Sequence, residues 1–208
     1  MEFNPACRSC PRLYHYLRRL RRRYPAYHNA PVAPLGDPAA KLIVVGLAPG
    51  LHGANATGFP FTGDHSGDFL FDALHRHGFA EWARANAGGA PRLNDCRITN
   101  AVKCLPPANR PSGREIRLCN RYLRSELARL PAGGVIVALG VVAHQAVLRA
   151  LDAARKNYRF GHGAEHAPAP GMTLLDSYHC SRYNVQTGRL DAARFDAVFA
   201  RARRLLDG

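Results

Sequence analysis

The segment Leu42–Asp64, LIVVGLAPGLHGANATGFPFTGD, opens as an apolar run, breaks into a loop rich in Gly, Pro and Asn, and closes on one carboxylate. Backbone amides, small side chains, the ring of Phe61 and the acid of Asp64 suit a flat, uncharged, polar ring. Amides would bond the edge of such a ring and Phe61 would cover its face; core packing is the competing reading of Phe61. No Lys-Ser or Lys-Thr follows GLAPG and Pro49 removes a donor, so this is not a phosphate-cradling Walker loop. Nor is it a GxGxxG dinucleotide turn, and GDHSG lacks the preceding strand of a nucleophile elbow.

Two further stretches carry polar groups at the ends of apolar runs. RITNAV offers Asn100, whose amide has one donor and one acceptor face and so can read the edge of a base. SYHCSRYN offers His179, Ser181, Arg182 and Asn184.

Of six cysteines, Cys7 and Cys10 stand at CxxC spacing, and Cys104 and Cys119 follow much later. In a reducing compartment they are metal ligands or buried thiols rather than disulfides. Four thiolates suit zinc or an iron–sulfur cluster equally by spacing. Cys96 and Cys180 read as buried small hydrophobes. His162 and His166, in FGHGAEH, have no evident third ligand and read as a solvent loop.

The elements that must position these groups alternate between strand and helix. LIVVG, RITNAV, VIVALG and MTLLDSY read as strands. Helices are expected around Phe69–Leu74, after the capping box Ser112/Glu115, over Val141–Leu151, and after the N-cap Asp191. Leu13, Tyr16, Leu17 and Leu20 recur at helical spacing ahead of the irregular connector PVAPLGDP. Such alternation predicts an α/β fold with a four-stranded parallel sheet covered on both faces. Ligands then sit outside the carboxyl ends of the strands, where GLAPG, NAVKC and SYHCSRYN all fall.

At 208 residues the chain fits one domain, 1–208, with 1–40 as a cysteine-bearing, basic segment packed on it. No apolar run approaches a membrane span and the N-terminus does not read as a signal peptide, so a cytoplasmic protein without membrane contact is expected. Lys and Arg number 29 against 15 Asp and Glu, a net charge of +14, which favours a polyanionic partner. LRRLRRRY alone holds Arg18, Arg19, Arg21, Arg22 and Arg23.

From GLAPGLHGANATGFPFTGD, ITNAVKCLPP and SYHCSRYNVQTGRL together, the chain resembles the uracil-DNA glycosylase superfamily, specifically family 5 (type B). The resemblance implies the glycosylase α/β fold and excision of uracil, hypoxanthine, ethenocytosine or related lesions from DNA. It also implies a structural [4Fe–4S] cluster on Cys7, Cys10, Cys104 and Cys119 that pins the N-terminal segment and the Cys104–Cys119 loop, with Asn109 and Arg110, against the DNA face. It implies a monomer that needs no nucleotide cofactor and works at the nucleoid. By the same resemblance Asp64 and His179 are catalytic. Gly46, Leu47, Ala48, Gly50, His52, Gly53, Phe61 and Asn100 hold the base, and Ser181, Arg182, Asn184 and Arg110 meet DNA. Leu47 stands where family 4 enzymes carry Glu, so a water-activating acid is missing there. Ala56 replaces an Arg usual in the family, and Cys180 a frequent Pro. A non-catalytic iron–sulfur nucleic-acid-binding protein of the same fold is the alternative.

Overall fold

The computed structural model describes residues 2–82 and 91–208. The chain begins with helix α1 (Pro11–Arg23) and strands β1 (Leu35–Gly36) and β2 (Leu42–Gly46). The short helix α2 (Ala54–Thr57) and α3 (His65–Arg76) lead to β3 (Cys96–Asn100). Then come α4 (Gly113–Leu127), β4 (Gly134–Leu139), α5 (Val141–Ala150), β5 (Glu165–Ala169) and β6 (Met172–Ser177). Helices α6 (Arg182–Gln186) and α7 (Ala192–Asp207) complete the chain.

The strands form one sheet in the order β1-β3-β2-β4-β6-β5. The inner four are parallel, and β1 and β5 pair antiparallel at the two edges. The expected four-stranded parallel sheet is thus the centre of a mixed six-stranded one. Two readings need correction. PVAPLGDP is not wholly irregular, since it contains β1, and FGHGAEH is not a solvent loop, since it runs into β5 at Glu165. Neither segment has the apolar run by which a buried strand is recognised. β1 is two residues long, and β5 is polar and carries Pro168, which only an edge strand tolerates.

Side chains alternate across β2 and so divide the core. Leu42 and Val44 join Leu70 and Phe71 of α3 and Phe195 and Phe199 of α7. Ile43 and Val45 join Leu123 and Leu127 of α4 and Ala146 and Val147 of α5. Each of these Leu, Ile, Val and Phe side chains contributes about 1.5–3 kcal/mol relative to exposure. The capping box of Ser112 and Glu115 starts α4 and Asp191 caps α7, as the sequence predicts.

Helix α1 docks by Leu13, Leu17 and Leu20, all buried. Leu13 meets Val102, Cys119 and Tyr122, while Leu17 and Leu20 meet Leu105, so the helix lies on the chain between β3 and α4. Its arginines face outward.

Candidate active site

The carboxyl ends of β2, β3 and β6 meet at one edge. Gly46, the last residue of β2, is the register partner of Asn100, the last of β3. Pairing continues past the strand ends: Ala101 N–H donates to Gly46 O (2.9 Å) and Val102 N–H to Leu47 O (3.0 Å). This carries Leu47 and Ala48 alongside Asn100. Together with Gly50, Phe61, Asp64, Asn109, His179 and Ser181 they line a cavity of about 280 Å³.

The floor is made by Asn100 and Phe61. Asn100 is buried, and its Oδ1 has no hydrogen-bond partner. Such an orphan acceptor costs about 1–3 kcal/mol unless something meets it. Phe61 belongs to the core, as the packing reading expects, and its ring also lines the cavity. Its φ of +54° is an outlier for a bulky residue. Gly67 makes that conformation possible, because a side chain there would collide with the Phe61 carbonyl. Such strain gathers where a side chain must be aimed.

Asp64 has two tasks. Its Oδ1 accepts the Gly67 amide (3.1 Å) and so caps α3. Its Oδ2 lies toward the Cα atoms of Gly50 and Gly53, in space that a side chain on Gly53 would fill. The ring of His179 lies nearly parallel to Phe61, centroids 5.9 Å apart. Burial pushes the His179 pKa down, against the opposing pull of Asp64, so the imidazole is neutral near pH 7. The loop that carries His179 is fixed locally. Asn184 Nδ2 donates to His179 O (2.8 Å), and Ser181 Oγ caps α6 by accepting the Asn184 amide (3.4 Å).

Not every expected residue reaches the cavity. His52 is exposed and bonded to the Tyr27 hydroxyl (3.0 Å), away from the lining. Gly53 backs Asp64, and Gly46 lies beneath the floor. Asn184 is engaged with the main chain, whereas Arg110 and Arg182 are exposed beside the site.

Two features escaped the sequence, and a third, Asn109, is legible in it only as a member of the Cys104–Cys119 loop expected against DNA. Asn109 lines the cavity from a turn in which Ala108 and Asn109 both take positive φ, +52° and +57°. Tyr183, next to Arg182, is 71% exposed. Buried Asn29 and Asn55 exchange hydrogen bonds: Asn55 Nδ2 to Asn29 Oδ1 (2.9 Å) and Asn29 N–H to Asn55 O (3.1 Å).

The four expected cysteine ligands converge on a second cavity, of about 360 Å³, walled by Leu13, Tyr14, Val102 and Tyr122. Burial and the neighbouring thiols push Cys10 up to about 11, and push Cys104 up as well. Burial alone would raise Cys7 too, but hydrogen bonds from Tyr122, Ser9 and Arg121 outweigh it and lower the pKa. Arg121 Nη2 donates to Cys7 Sγ (3.4 Å) and Lys103 N–H to Cys119 Sγ (3.3 Å). Four neighbouring thiols with donors beside Cys7 and Cys119 form a set that could hold a metal centre. Cys96 and Cys180 are fully buried in the main core.

Residues 33–203 match the family model described as the uracil DNA glycosylase superfamily. The chain belongs to this superfamily. It is 44% identical to a type-5 uracil-DNA glycosylase of Thermus thermophilus over 206 residues, covering 96% of this chain and 94% of the relative. It is 41% identical to the type-5 uracil-DNA glycosylase of Pyrobaculum aerophilum, covering 94% and 87%. Likeness to that organism's type-4 uracil-DNA glycosylase is narrower, 34% over 59% of this chain and 55% of the relative. The uracil DNA glycosylase superfamily thus matches at the level of type as well as of fold. Among the described residues, no helix is long and apolar enough to cross a membrane.

Proposed function

We propose that the protein is a DNA repair glycosylase that flips uracil from DNA and hydrolyses its N-glycosidic bond, with hypoxanthine and ethenocytosine as further substrates. The observation that carries this reading is the unpartnered Oδ1 of buried Asn100 beside the aimed ring of Phe61. A base with an N–H on its pairing edge supplies the missing donor, and Phe61 covers its face.

In the reaction the C1′–N bond breaks and its electron pair leaves with the base. Water adds to C1′, and its proton is released. Positive charge grows on the sugar, and Asp64 Oδ2, held by the cap at Oδ1, is the anion available to it. Neutral His179 donates to the oxygen of the departing base. Asn109 adds a further polar group to the lining. Flipping costs a few kcal/mol. Exposed Tyr183 fills the vacated gap, and Arg110 and Arg182 bind flanking phosphates.

The second cavity suits a [4Fe–4S] cluster on Cys7, Cys10, Cys104 and Cys119. Such a cluster would cross-link α1 to the turn that carries Asn109, a structural service rather than a chemical one. The +14 charge supports a polyanionic partner. Cleavage of a uracil-containing oligonucleotide after alkali treatment tests the reading. An intact strand under single-turnover conditions would leave only a DNA-binding protein.

A further inference from the structure

Behind the strand that delivers His179, three side chains from separate elements close on one point. His144 of α5, His166 of β5 and Asp176 of β6 each direct a donor atom there, and the three atoms lie within 4.8 Å of one another. His144 Nδ1 is 2.8 Å from Asp176 Oδ1, and His166 Nε2 is 3.1 Å from Asp176 Oδ2. The His144 side chain is 2% exposed, Asp176 0% and His166 13%.

We propose that these three residues bind a divalent cation of the zinc class, separately from the four cysteines.

The chemistry of the donors carries this. Two imidazoles and one carboxylate suit zinc better than magnesium or calcium, which favour oxygen throughout. Zinc–nitrogen and zinc–oxygen bonds of about 2.0–2.2 Å put tetrahedral ligand atoms roughly 3.3 Å apart. Each imidazole nitrogen already stands near that spacing from one oxygen of the Asp176 carboxylate, Nδ1 of His144 from Oδ1 and Nε2 of His166 from Oδ2. The surroundings are those of orienting partners. His144 Nε2 faces the carbonyl of Tyr158 (3.1 Å), which can only accept, so Nε2 carries a proton and Nδ1 is the ligating atom. The Gly161 amide donates to Asp176 Oδ2 (3.3 Å) and fixes the carboxylate. Without a cation, His144 Nδ1 also needs a proton to meet the carboxylate, and that proton sits where the metal would. Water passing the partly exposed His166 completes the fourth position. The cation would hold β5, whose register with β6 slips between His166 and Ala169, against α5.

The test uses the purified protein with its iron in place, equilibrated with zinc chloride and freed of excess. Metal analysis should find about one zinc per chain with the iron unchanged. Free zinc a hundredfold above Kd should raise the melting temperature by roughly 5–10 °C. His166→Ala should abolish both effects. Because His166 is partly exposed, this variant should fold; His166→Gln, which keeps a polar side chain, serves if it does not. No stoichiometric zinc and no shift in the native protein overturns the proposal. So does zinc that is retained by the His166 variants.

Discussion

A methyl group on Gly46 would stand 2.5 Å from Asn100 Oδ1 and 2.6 Å from both Cε2 and Cζ of Phe61. The two residues are register partners, so the bare Cα of one strand end clears space for the polar head of the other. Gly46→Ala should therefore tilt Phe61 and displace Asn100 together. Excision should fall at least about 100-fold, the size of losing one aimed group, while overpacking costs about 1–3 kcal/mol. Single-turnover rates and denaturant melts separate the two effects.

Asp64 can be divided into its two tasks. Asn is as good an N-cap as Asp, so Asp64→Asn should leave stability and DNA affinity nearly unchanged and remove the charge near the sugar. The chemical step should slow by about 10²–10³. Asp64→Ala should add about 1 kcal/mol of destabilisation from the lost cap. Full activity in Asp64→Asn would place the chemistry elsewhere.

The depressed pKa of His179 makes a prediction in pH. Its unfolded value is 6.5 and burial lowers the folded value despite Asp64. Below pH 6.5 the unfolded chain takes up this proton more readily, so stability should fall with pH in that window. Any change in the excision rate that follows protonation of His179 should come below pH 6.5, because its folded pKa is lowered. His179→Gln should remove that part of the pH dependence of stability, seen in urea melts at pH 7.5 and 5.5.

Arg12 grips Glu115 through Nε (2.8 Å) and Nη2 (2.7 Å), while Glu115 also closes the capping box of α4. Burial alone would raise the Glu115 pKa, but Arg12 and the Ser112 amide bring it below 4.5. The lowered folded pKa means stability present above pH 4.5 and lost as pH falls through the folded value. Because Arg12 is half exposed, the pair is worth little beyond its hydrogen bonds. Glu115→Gln should cost about 1–2 kcal/mol and flatten the acid limb, measurable by melts between pH 6 and 3.

On α1, Arg18, Arg19 and Arg23 lie over the rings of Tyr14, Tyr16 and Tyr24, and Arg21 Nε donates to Asn29 O (3.1 Å). If this face meets DNA, replacing Arg18, Arg19, Arg22 and Arg23 by Gln should reduce the salt slope of binding by about 0.9 per lost phosphate contact. Fluorescence anisotropy across a salt series reads it; an unchanged slope would make the face a solvated one.

Legibility followed the length and polarity of each element. Continuous apolar runs announced β2, β4 and β6, and Ser112 and Asp191 announced their helices, because each signal is local. β1 and β5 were hidden because one is too short and the other too polar. In the site, the loops after β2, β3 and β6 could be read from their positions at strand ends. The aim of Phe61 could not, since it depends on Gly67 across a turn. Nor could the closeness of His144 to Asp176, 32 residues apart, which arises only when α5 packs on the sheet next to β6.

The paired amides of Asn29 and Asn55 bear on modularity. Asn29 also donates from Nδ2 to the carbonyls of Tyr24 (2.7 Å) and Tyr27 (3.1 Å), so the end of α1 and the loop behind Asp64 are stitched at one buried knot. The leading segment is therefore not an accessory that can be trimmed or exchanged. Cutting it away would strand the Asn55 amide in the interior and free the Gly50–Thr57 loop to drift. A shortened chain of this kind should fail as an aimed catalyst before it fails as a folded protein.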